Sequence, residues 1–183
     1  MVIIVAVAAF CVKFIPVFLP QAEAQVSPEM EQAFLAAGIK IQKRQVDPKN
    51  FTLPLLSGGT ASLSAYKGKV VFLNFWATWC PPCQEEMPSM EKLYQRLKSQ
   101  GLEILAVDLG EDSGTVQQFI RDRSYTFPVL LDMDNKVGSL YGIRSIPSTF
   151  IIDREGKIIS MIVGGRDWDD PKLMAAFEVL LSR

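Results

Sequence analysis

The chain has no histidine among its 183 residues. That absence excludes Ser–His and Cys–His nucleophilic pairs, histidine metal sites and histidine pH switches. A net basic charge is lacking too: 19 Lys and Arg stand against 20 Asp and Glu, a formal charge of -1. No basic field is present to draw in nucleic acid, and no nucleic-acid partner is expected. Cysteine is scarce, at three residues, and there is no internal repeat or low-complexity block. Hydrophobic residues are plentiful, at 49%, enough for the core of one domain with an appendage.

The apolar residues begin at once. Residues 2–12 form an unbroken apolar run, Lys13 interrupts it, and residues 14–19 continue it around Pro16. Eleven apolar residues are too few to span about 30 Å of hydrocarbon, but they suit the h-region of a signal peptide. Ala22-Glu23-Ala24 supplies an A-x-A pattern, which places cleavage before Gln25. Against this, no positive charge precedes the run. The rival readings are an uncleaved anchor through residues 1–19, with Lys13 snorkelling, and a lipoprotein acylated at Cys11. The bulky Phe10 before that cysteine speaks against the lipoprotein. Each reading puts the domain in the periplasm or at the extracytoplasmic face of the membrane. The expected division is a signal peptide or membrane anchor over 1–24, a short helix and linker over 25–50, and the main domain over 51–183.

Ser27-Pro28-Glu29 reads as the cap, first residue and first-turn acid of a helix ending at Gly38, with Phe34, Leu35 and Ile39 available to pack on the main domain. Residues 40–50 are polar and basic, a linker. A small hairpin is predicted over 51–63 around Ser57-Gly58-Gly59-Thr60. The near-continuous apolar run 70–76 suits a central strand buried on both faces. A helix follows over 81–99, a strand over 103–109 and a helix over 113–123 with Ser113 as its cap. Short apolar and helical pieces lie at 128–131 and 136–141. Strands at 149–152 and 157–163 join through Asp153-Arg154-Glu155-Gly156, and a helix over 171–181 is capped by Asp169 or Asp170. Strands alternating with helices until a terminal hairpin and helix argue an α/β sandwich.

Trp79-Cys80-Pro81-Pro82-Cys83 stands where the central strand ends and a helix begins. A cysteine there meets free backbone N–H groups and the positive end of the helix dipole, which stabilise a thiolate. The second thiol lies within reach one turn on. Cys80 is therefore read as the exposed, low-pKa nucleophile and Cys83 as the buried resolving thiol. A zinc site would need ligands that Cys11 alone cannot complete, so no metal is expected. A purely structural disulfide across three residues closes too small a loop to stabilise much.

With its surroundings the pair becomes specific. Asn74-Phe75-Trp76-Ala77-Thr78-Trp79-Cys80-Pro81-Pro82-Cys83, then Glu85-Glu86-Met87-Pro88, resembles the thioredoxin-like TlpA/ResA/DsbE family of exported thiol–disulfide oxidoreductases. The resemblance runs from about Phe51 to Leu181. It takes in Lys67-Gly68-Lys69, Val107-Asp108, and Tyr141-Gly142-Ile143 leading to Ile146-Pro147-Ser148-Thr149-Phe150. It implies a thioredoxin-like fold, a central mixed sheet flanked by helices with an added N-terminal hairpin.

The same resemblance implies roles. Ile146-Pro147 matches the family's cis-proline, beside the cysteines, where backbone pairs with an extended substrate. Trp79 is expected to pack by the nucleophile, whereas Trp76 belongs to the core. Pro81 and Pro82 form the active-site turn, and Pro88 kinks the helix. Glu86, three residues after Cys83, shares its helix face, at a position where the family has an acid; Glu85 falls off that face. Thioredoxin itself carries a buried aspartate where this chain has Asn74, which cannot titrate. Glu86 is then the nearest acceptor in sequence for the Cys83 proton.

The expected activity is reduction of disulfides in a protein substrate, by analogy in cytochrome c maturation. The resemblance implies a membrane-embedded thiol reductase as electron donor and no cofactor, because the cysteines carry the electrons. The rivals are a thiol peroxidase and a redox-inert binding module on the same scaffold. The peroxidase pattern Pro-x-x-x-Thr-x-x-Cys needs a threonine three residues before the cysteine, where Cys80 has Ala77 and Cys83 has Cys80.

Overall fold

The computed structural model describes residues 26–42 and 44–183. The expected signal or anchor, with Cys11, lies outside the described residues. Among the described residues no helix is long and apolar enough to cross a membrane.

Five strands form the main sheet in the order β5-β4-β3-β6-β7: β3 (Val70–Trp76), β4 (Leu102–Leu109), β5 (Val129–Asp132), β6 (Ser148–Ile152) and β7 (Ile158–Val163). Strands β3, β4 and β5 run parallel, while β6 and β7 are antiparallel to their neighbours. The sheet is mixed, as expected. Every residue of β3 is buried, as its unbroken apolar run requires of a strand covered on both faces. Ahead of the sheet, β1 (Thr52–Pro54) and β2 (Thr60–Ser62) form the predicted hairpin, and a bridge from Leu55 to Leu130 ties it to β5.

The two sheet faces separate two cores. Phe72 and Trp76 of β3, with Ile104 and Ala106 of β4, pack with side chains of α1 (Pro28–Ala36), α2 (Pro81–Leu97), α3 (Ser113–Arg123) and α5 (Pro171–Leu181). Val71, Leu73 and Phe75, with Leu105 and Val107, pack with the hairpin and with Val137 of α4 (Lys136–Leu140). Alternation along the strands turns Asn74 and Asp108 toward the helix-covered core that holds the cysteines.

Local chemistry sets the helix ends, with one change from expectation. Ser27 caps α1 and Asp170 caps α5, but α3 is capped by Asp112, which accepts from the Gly114 and Thr115 N–H groups. A carboxylate one residue earlier reaches two N–H donors at once. The short helix and the stretch after it pack on the main domain, with Leu35 left exposed. Met30, Phe34, Ile39 and Ile41 are buried, and Phe34 meets Phe177 of α5 edge-on at 5.7 Å between ring centroids. The polar stretch lies along β7, with Gln42 N–H donating to Ile159 O and Val46 bridging Ile158. Its polar side chains face water while its backbone covers the sheet edge, which composition does not reveal.

Candidate active site

Cys80 is the N-cap of α2 and Pro81 its first residue, so the thiol positions fall where the helix leaves its N–H groups free. Cys80 and Cys83 are joined as a disulfide. Cys80 is 3% exposed and Cys83 is fully buried, so in the oxidised state the nucleophile is far less open than its sequence position suggests. The turn before the pair is pinned from two sides. Thr78 donates from its N–H and hydroxyl to the Glu111 carboxylate, and its carbonyl accepts from the Gln84 side chain.

The peptide bond between Ile146 and Pro147 is cis, and Cys80 Sγ lies 3.7 Å from the Ile146 carbonyl oxygen. The Pro147 carbonyl is taken by the Gly164 N–H at the end of β7. Trp79 is 67% exposed. Next to Cys80 in the chain, it stands out from the surface. Pro81 and Pro82 are exposed and Trp76 is in the core.

Glu86 is 2% exposed, whereas Glu85 faces solvent. The Asn74 amide donates to Glu86 Oε1 at 2.9 Å; the Trp168 indole N–H donates to Oε2 at 2.9 Å, and the Arg166 N–H to the same oxygen at 3.3 Å. Burial pushes the Glu86 pKa up to about 7, against the pull of these three donors. A carboxyl poised there both takes and returns a proton at neutral pH. Its cleft to solvent is lined by Pro82, Ser89, Gly165 and Arg166.

A second buried acid went unassigned in the sequence. Asp108 pairs with Trp76 across β3 and β4 and is fully buried. Burial first, and the Glu111 carboxyl second, push its pKa up to about 8. Asn74 cannot titrate, but the strand beside it carries a group that can. Asp108 had a signal, since Val107-Asp108 belongs to the matching motifs, but it sits 25 residues past Cys83 and only strand pairing brings it back. Trp168 and Arg166 carried no signal at all.

The AhpC/TSA family matches residues 45–161, most of the sheet and the whole disulfide turn. The thiol-disulfide oxidoreductase ResA of Bacillus thuringiensis is 41% identical over 133 residues, 73% of this chain and 76% of its own length. The chain belongs to the thioredoxin-like ResA/DsbE family. ResA of Bacillus subtilis is 45% identical over 118 residues, 64% of this chain and 66% of its own. A solved structure from Chlorobium tepidum, described as a thiol:disulfide interchange protein DsbE, superposes with a TM-score of 0.69 at 33% identity. It covers 75% of this chain and 98% of that one. As a ResA/DsbE-family protein the chain is a thiol–disulfide oxidoreductase with a thioredoxin-like fold, and its chemistry is thiol–disulfide exchange.

Proposed function

We propose that this oxidoreductase works as an exported reductant of protein disulfides. Reduced Cys80, as thiolate, attacks one sulfur of the client disulfide; the client S–S bond breaks and a client thiolate leaves. Cys83 passes its proton to Glu86 and attacks the Cys80 sulfur. The second client sulfur leaves, the Cys80–Cys83 bond forms, and the client has gained two electrons and two protons. The observation that carries this reading is the Cys80–Cys83 pair at the start of α2, with Glu86 buried one turn beyond Cys83 and suited to that proton.

Client recognition falls to Ile146, Pro147 and Trp79. Neither the Ile146 N–H nor its carbonyl has a backbone partner among the described residues, so this stretch can pair with an extended peptide. Export rests on the apolar run before Gln25, and an outside-facing reductant takes its electrons from a membrane-embedded thiol reductase. By family analogy the client is an apocytochrome c. The test is to mix reduced protein with a protein disulfide and count thiols: two client thiols should appear per Cys80–Cys83 disulfide formed. Oxidation by peroxide instead would favour a peroxidase, and inertness toward both would leave a binding module.

A further inference from the structure

Helix α1 precedes the stretch shared with the AhpC/TSA family, yet one residue, Arg166, joins it to the active-site acid. Arg166 donates from its guanidinium to the carbonyls of Ala37, at 3.4 Å, and Gly38, at 3.0 Å. These carbonyls close the C-terminal end of α1, where intrahelical donors run out and a cation is favoured. The last turn of α1 has no basic residue of its own, so Arg166 supplies that cation from 128 residues away. From its backbone the same residue donates to Glu86 and accepts from the Ser89 hydroxyl. Trp168, two residues on, donates to Ser89 and to Glu86. On the near side Gly165 comes so close to α2 that a Cβ there would sit 2.8 Å from the Pro82 carbonyl oxygen. Residues 164–168 thus lie clamped between the end of α1 and the first turns of α2.

We propose that Arg166 is a positioning residue for Glu86: its guanidinium, gripped by the last carbonyls of α1, sets how closely loop 164–168 presents its N–H donors to the carboxyl. The inference rests on the reading of Glu86 as the proton acceptor in disulfide exchange. Donors favour the carboxylate and burial favours the acid, so their balance decides whether Glu86 holds a proton at neutral pH. The Arg166 N–H, at 3.3 Å, lies at the long edge of hydrogen bonding, and a small retreat of the loop removes it. The guanidinium is turned to α1, so it acts through the loop. The other groups facing Glu86 do not take over this task. Asn74 and Trp168 are neutral; Glu85, Lys92 and Asp167 line the solvent cleft; Asp108 stands on the adjacent strand.

The oxidised full chain, in which the cysteines do not titrate, allows a direct test. The Glu86 carboxyl carbon is followed by NMR against pH. Arg166→Met, which keeps the stem and removes the grip, should raise the midpoint by about half a unit or more. Arg166→Lys, with one cation for the same carbonyls, should fall between. Phe34→Ala loosens α1 from Phe177 without touching Arg166 and should shift the midpoint the same way. It also carries the test should Arg166→Met not fold. Lys92→Met removes another cation of the same cleft and should leave the midpoint in place. An unmoved midpoint in a folded Arg166→Met protein, or in Phe34→Ala, overturns the proposal, as does an equal shift in Lys92→Met. The titration needs no turnover, so a wild type that fails to reduce disulfides counts against the proposed function alone.

Discussion

Asn74 on β3 and Glu86 on α2 are joined by a 2.9 Å hydrogen bond across the sheet–helix interface, both of them buried. The second amide hydrogen of Asn74 goes to the Thr149 hydroxyl on β6, so the amide braces Glu86 from the sheet.

Replacing Glu86 by Gln keeps the shape and removes the charge. A carboxylate near the thiols disfavours thiolate, so Glu86→Gln should lower the apparent thiol pKa values, a property of the coupled set. Resolution of the mixed disulfide should slow by about 100-fold for want of the proton acceptor. Thiol titration and stopped-flow exchange read the two effects separately. Identical curves for wild type and variant would return Glu86 to a structural role.

The raised pKa of Glu86 also bears on stability. With a folded pKa above the unfolded one, its contribution is fully present below about 4.5 and is lost as pH rises through about 7. Glu86→Gln has no such loss. Its stability relative to wild type should improve steadily across that window in urea unfolding, and a pH-independent difference would contradict the assignment.

Asp108 obeys the same sign over a wider range, from the ordinary aspartate value to about 8. Asp108→Asn should stabilise the protein by at least about 2 kcal/mol at pH 9, with the gain vanishing toward pH 4. The ratio of folding constants across pH measures this, and a gain that persists undiminished at pH 4 would show another cause.

Cys83→Ser should accumulate mixed disulfides between Cys80 and its clients, because nothing resolves them; Cys80→Ser should give few. Mass spectrometry of trapped adducts checks this, and equal adducts from both variants would sink the assignment of Cys80 as nucleophile. Cys11→Ser should leave exchange unchanged.

The redox potential should fall nearer thioredoxin, at about -270 mV, than DsbA, at about -120 mV. Between the cysteines stand two prolines, with no histidine or lysine to stabilise the reduced thiolate further. Equilibration with glutathione reads the potential, and a value near DsbA would reverse the direction of electron flow.

What the sequence determined by itself is whatever depends on near neighbours along the chain. The strand-to-helix junction at Cys80, the buried run of β3, the hairpin and the cap at Ser27 each follow from residues a few positions apart. The spacing of Cys83 and Glu86 along one helix is of the same kind, since three residues are most of a turn. Tertiary structure alone decided the rest. Whether Glu86 meets water or three donors depends on Asn74, twelve residues back, and on Trp168 and Arg166, about eighty residues on. Asp108 becomes a buried acid near the site only through its register with Trp76. For the short helix at 28–36 the apolar residues were legible, but which surface receives them, that of α5 and β7, came only with the fold. Proton affinity is set by desolvation and by donors from distant segments, and neither exists until the chain has folded.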